Sequence, residues 1–160
     1  MTREGKRIVV VPCSGIGKSY GTVAREAAFD LTEDVRPGQT RLVSLSKLVL
    51  GVAEARAAVE GNDAVTIDGC PKACAAKMVK SSGGIVAREV ATHEVFKRHP
   101  TLKPEGIVEL NEAGRKLARV VAEEVAVTVD ELVGRGDRQA NSRGAADAAP
   151  AAPGKEGSDV

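Results

Sequence analysis

The sequence predicts an α/β fold: a single small domain with a mostly parallel sheet of about four strands, helices on both faces, and a disordered C-terminal tail. Three observations lead there. Four short runs rich in β-favouring residues, at 7–12, 40–45, 64–67 and 85–90, alternate with segments whose apolar residues recur at helical spacing. The first run is apolar without alternation, as expected of a strand covered on both faces. A chain of 160 residues is also long enough to bury one sizeable core.

Each element follows from its residues. The run at 7–12 ends in Cys13 and a glycine-rich loop, after which Val23, Ala27, Ala28 and Leu31 share one helical face. Residues 33–39 are polar, with Pro37 and Gly38 marking a turn before the second strand. Ser46 is a good N-cap. Leu45 and Leu50 have the spacing of a hydrophobic staple, so one helix is expected through Val52, Ala55 and Val59 until Gly61 stops it.

The third strand, 64–67, leads into Asp68, Gly69, Cys70 and Pro71, and the helix expected there runs to about Lys80. A fourth strand at 85–90 precedes a short helix at 92–98, halted by Pro100 and Pro104. From Asn111 to about Leu132, Ala113, Leu117, Val120, Val121 and Val125 recur at helical spacing, so a long amphipathic helix closes the domain at about residue 134. Residues 135–160 hold no large apolar side chain before Val160, a composition that reads as disordered. Right-handed crossovers bring the carboxyl ends of parallel strands to one edge, where ligands of open α/β sheets bind.

Composition narrows the function more than it names it. Lys and Arg total 23 against 22 Asp and Glu, so no bulk field draws the chain to nucleic acid or an acidic membrane. Aromatic residues are 2 % of the chain, too few for a platform that stacks bases. The apolar run near the N-terminus, Ile8 to Val11, is too short for a signal peptide or membrane span, and a cytoplasmic location is the expectation. Three cysteines cannot all pair within one chain, and a reducing compartment keeps them as thiols.

The chemistry concentrates at two strand ends. If Cys70 is an N-cap and Pro71 the first helical residue, Cys74 lies one turn further on the same side. That makes a two-thiol clamp. The free N–H groups and positive dipole end of the helix favour ionised sulfur, with Lys72 and Lys77 adding charge. Cys13 ends the first strand at the same edge of the sheet. The loop after it offers Gly15, Gly17, Lys18 and Ser19, one residue short of a phosphate-binding P-loop, because Pro12 stands where the first glycine belongs and carries no N–H. Those glycines serve equally well to turn a strand sharply into a helix.

Cys13-Ser14-Gly15 after an N-terminal strand, with Asp68-Gly69-Cys70-Pro71-Lys72-Ala73-Cys74 further on, resembles the DGC-domain family, named for its Asp-Gly-Cys motif. The resemblance covers roughly residues 7–96 and implies a small α/β domain with four cysteines proposed to bind zinc. Cys13, Cys70 and Cys74 stand at three of those positions. Where the family has the fourth, after its second strand, this chain has Val43, Ser44 and Leu45.

The expected function is therefore binding of zinc, or a similar soft divalent metal, through Cys13, Cys70 and Cys74. Three protein thiolates leave an exchangeable position, which Asp68, His93 or His99 could fill. An iron–sulfur cluster with one non-cysteine ligand is a less favoured cofactor. Binding is preferred to catalysis because no general base or substrate clamp stands beside the thiols in the sequence. Two rivals remain open: a thiol-redox or sulfur-handling enzyme using the same three cysteines, and a nucleotide-binding module using the glycine loop.

Overall fold

The computed structural model describes residues 7–15 and 17–146, with side chains through Arg138. In chain order the elements are β1 (Ile8–Pro12), α1 (Ser19–Phe29) continued by a π-helical stretch (Asp30–Val35), β2 (Thr40–Leu42), α2 (Leu45–Val49), α3 (Ala53–Val59), β3 (Asp63–Asp68), α4 (Cys74–Ser81), β4 (Ile85–Ala91), α5 (Thr92–Arg98) and α6 (Glu112–Ala146). The four strands form one sheet in the order β2-β1-β3-β4, and every pairing is parallel.

That order means the chain starts in the middle, winds outward to β2, then crosses back to β3 and β4. Reversing the winding direction sends right-handed crossovers to opposite faces of the sheet. The core divides accordingly. Ile8 and Val10 of β1 pack with Val23, Ala27, Ala28 and Leu31 of α1 and with Leu117, Val121 and Val125 of α6. Val9 and Val11, pointing the other way, pack with Leu48, Ala55, Val59, Ala75 and Val79 from α2, α3 and α4. A strand buried on both faces has no place for polar residues, which is why β1 shows no alternation. The winding reverses between β1 and β3, and their carboxyl ends flank the crevice where such folds bind ligands.

Several element boundaries differ from the sequence expectation. The helix after β2 is capped at Ser44 rather than Ser46 and breaks into α2 and α3 at Gly51, whose φ of 71° ends the first segment. Leu50 is 80 % exposed, so it makes no staple with Leu45. The polar residues after Phe29 stay helical, as the π-helical stretch, before turning at Gly38. Finally α6 continues past Gly134 to Ala146, so the expected boundary at 134/135 falls inside a helix. Gly134, Gly136 and Gly144 each cost the helix about 1 kcal/mol against alanine, and the Arg, Gln and Ala residues around them are good helix formers. The part of the expected disordered tail at 147–160 lies outside the described residues. Among the described residues, no helix is long and apolar enough to cross a membrane.

Candidate metal centre

The carboxyl edge of the sheet collects the residues singled out above. In the β1–β3 register Pro12 pairs with Ile67, and the Cys13 N–H extends the ladder by donating to the Ile67 carbonyl at 2.8 Å. Cys13 therefore stands level with the end of β3, two residues before Cys70. On the other side of β1, Val10 pairs with Leu42 and accepts from the Val43 N–H at 2.9 Å, which puts Ser44 at the same rim. Asp68 pairs with Ala91 of β4, so Thr92 and His93 open α5 beside it.

Glycine contacts hold the two cysteine segments together. An added Cβ on Gly69 would lie 2.6 Å from the Gly21 nitrogen and 2.9 Å from the Tyr20 carbonyl carbon. An added Cβ on Gly21 would lie 2.7 Å from the Gly15 Cα. The β3–α4 connection, the first turn of α1 and the loop after Cys13 thus touch backbone to backbone. Thr92 fastens the fourth strand end to the same place, its hydroxyl donating to the Tyr20 carbonyl at 2.9 Å. Apart from the approach of Gly21 to Gly15, these contacts were not readable from the sequence, because each joins segments far apart in the chain. The one local signal was a glycine lodged between a strand-ending Asp and a Cys.

Asp68 anchors the cysteine-bearing helix. Its carboxylate accepts from the Ala75 N–H at 2.9 Å with one oxygen and from the Ala76 N–H at 3.2 Å with the other. It thereby satisfies two of the N–H groups that a helix start leaves without partners. Burial pushes the Asp68 carboxyl above its ordinary pKa, and the two backbone donors oppose that rise. Replacing Asp68 by Ala should lower the unfolding free energy by about 2 kcal/mol, since two buried N–H donors lose their acceptor. Urea denaturation would measure it, and a loss no larger than that of an exposed surface substitution would mean the anchor is dispensable.

The expected two-thiol clamp on one helical turn is corrected by this capping. α4 begins at Cys74, not at Pro71, and its N-cap is Ala73 in the left-handed conformation. Residues 70–73 form a turn instead, closed by the Ala73 N–H on the Cys70 carbonyl at 3.2 Å. Proline is favoured at the second position of such a turn as well as at the first of a helix, and the distant Asp68 decides between the two. Cys70 therefore belongs to the turn and Cys74 to the helix.

All three cysteines are free. Cys74 is exposed, whereas Cys13 and Cys70 are half-buried, Cys13 against the cluster that includes Val10 and Val23. His93 bonds Glu94 through Nε2 at 2.9 Å and leaves a buried Nδ1 without a partner. His99, by contrast, follows the other end of α5 and faces Glu124. In the glycine loop, Gly15 and Gly17 have φ near 77°, Lys18 is extended, and Ser19 is the first residue of α1. Gly15 lies against Gly21 and the Arg25 guanidinium, so the loop folds back on its own helix.

A doubly wound α/β domain with free thiols on both sides of its switch point is the class that fold and site define. Within it, the family model of the DGC domain matches residues 9–123, well over half of the chain, and the chain belongs to that family. No curated protein and no solved structure matches it.

Three thiols and an unpartnered imidazole nitrogen are donors that suit a soft divalent cation. The side chains as placed do not close around one. Among the described residues, no group of three or more His, Cys, Asp and Glu is gathered closely enough to hold a metal ion. Asp-Gly-Cys has a physical reading all the same. Asp68 caps α4, Gly69 lets β3 meet α1, and Cys70 opens the turn at the rim.

Proposed function

We propose that this protein binds zinc, or a similar soft divalent metal, with the thiolates of Cys13, Cys70 and Cys74 at the carboxyl edge of the sheet. The observation that carries the reading is the backbone contact of Gly69 with Gly21, together with the Cys13–Ile67 hydrogen bond. They bring two cysteine segments from distant parts of the chain to one rim. Membership of the DGC family agrees with a metal-binding role. Asp68 serves as the remaining donor or orients one, and Ser44 stands at the rim where the family's fourth cysteine would be. The location that suits this site is a reducing one such as the cytoplasm, where thiols stay free to bind metal.

Elemental analysis of protein purified without added metal, paired with titration of free thiols, tests the proposal. About one zinc per chain, with the thiols masked until a chelator is added, is the expected result. Metal-free protein with three freely titrating thiols, unable to take up zinc on addition, would overturn it.

A further inference from the structure

Two stretches of this chain leave neighbouring apolar side chains in solvent, and they carry opposite charge. The first is the corner between α2 and α3, where Val49, Leu50 and Val52 are exposed, Leu50 by 80 %. Lys47 and Arg56, both exposed, stand on either side of them in the chain. The second is the loop between α5 and α6, where Ile107 and Val108 are exposed, Val108 by 85 %, between the exposed Glu105 and Glu109. Adjacent exposed apolar groups rimmed by charge mark a surface that meets a partner.

Both stretches are held in place. Asn111 ties the loop to itself: its Oδ1 accepts from the Glu105 N–H at 3.1 Å and the Gly114 N–H at 2.8 Å, and its Nδ2 donates to the Lys103 carbonyl at 3.1 Å. Gly106 lies so close to the Glu109 carbonyl that an added Cβ would fall 1.8 Å from its oxygen. The Thr22 hydroxyl fastens the same loop to α1, donating to the Ile107 carbonyl at 2.7 Å. At the other stretch Gly51 turns the chain against the Arg56 guanidinium, 3.4 Å from where a Cβ would be. Groups fixed before contact lose little freedom on association.

The charges say what fits. Among the described residues, the side chains of Lys47, Arg56 and Glu109 make no hydrogen bond or ion pair. Glu105 has only Lys103 at 3.4 Å, an exposed pair of the kind that is easily exchanged. A basic apolar corner and an acidic apolar loop complement one another, and every copy of the chain carries both.

We propose that the chain pairs with a second copy of itself: the α2–α3 corner of one copy receives the 105–109 loop of the other. Val49, Leu50 and Val52 pack on Ile107 and Val108, and Lys47 and Arg56 face Glu105 and Glu109. Two such contacts related by a two-fold axis close a dimer, since each copy offers both surfaces. Like surfaces repel, because corner on corner opposes cation to cation and loop on loop opposes carboxylate to carboxylate. The pairing does not depend on the metal reading, as no cysteine takes part in it.

Sedimentation equilibrium of the full chain over a concentration series, in reducing buffer with a chelator so that neither disulfides nor metal can link copies, tests the pairing. The parent should be dimeric at high concentration and dissociate on dilution. Lys47→Glu and Glu109→Lys should each weaken association at least about tenfold, because each sets like charges face to face. A chain carrying both substitutions restores an opposite-charge pair and should recover most of the parent's association. Both positions are exposed and unbonded, so the variants keep the fold, which circular dichroism checks. A parent that stays monomeric at every concentration, association indifferent to both single reversals, or a double variant no better than the singles would overturn the proposal.

Discussion

Gly69→Ala should cost this fold about 3 kcal/mol, at the upper end of what overpacking one methyl group usually costs. The new Cβ would sit 2.6 Å from the Gly21 nitrogen and 2.7 Å from its Cα, closer than real Cβ atoms approach such groups. Both obstacles are backbone, so no side chain can swing aside, and the partner is already glycine. Either α1 moves away from β3 or the β3–α4 connection distorts. Either movement also separates Cys70 from the segment that carries Cys13. Gly17→Ala is the matched comparison. Gly17 has φ 78° with nothing within 4 Å of an added Cβ, so that variant bears conformational strain alone, about 1–2 kcal/mol. Urea denaturation of the two variants beside the parent separates the effects. If Gly69→Ala loses no more than Gly17→Ala, the close approach is not what fixes glycine after Asp68.

The comparison between sequence and structure turns on how far each interaction reaches along the chain. Strands and the faces of helices were legible because periodicity is local. Val23, Ala27, Ala28 and Leu31 are all fully buried, as their spacing required. The thiol-bearing strand ends were legible too, since parallel order alone places Cys13 and Cys70 at one edge. What escaped was set by contacts across the fold. The start of α4 shifts from Pro71 to Cys74 because a carboxylate seven residues before Ala75 takes its N–H group. Gly15 reads by itself as a residue that turns a strand into a helix, and only the contacts of Gly21 with Gly15 and with Gly69 show why these three positions lack a side chain.

Cys70→Ser and Cys74→Ser should each lower zinc affinity by more than about 100-fold, whereas Ser44→Cys should raise it. The first half follows from ligand chemistry. Disturbing a group that merely supports a metal ligand already costs about 10–100-fold, and removing a thiolate costs more because a serine hydroxyl stays protonated and binds soft metals poorly. Cys13→Ser should behave likewise if the two segments meet on one ion, and its folding serves as a control because the half-buried thiol also packs against the core. The second half tests the geometry of the rim. Ser44 is exposed, shares a hydrogen bond with the Ser46 hydroxyl through its own at 2.7 Å, and follows a strand paired with β1 in register. A thiolate there would convert an open three-sulfur site into a closed four-sulfur one, the arrangement typical of structural zinc. Competition against a chelating dye would give all four affinities in one series. Unchanged binding in Ser44→Cys would place the metal away from the β2 end of the rim, toward His93. Unchanged binding in Cys13→Ser would remove the first strand from the site and with it the convergence on which the metal reading depends.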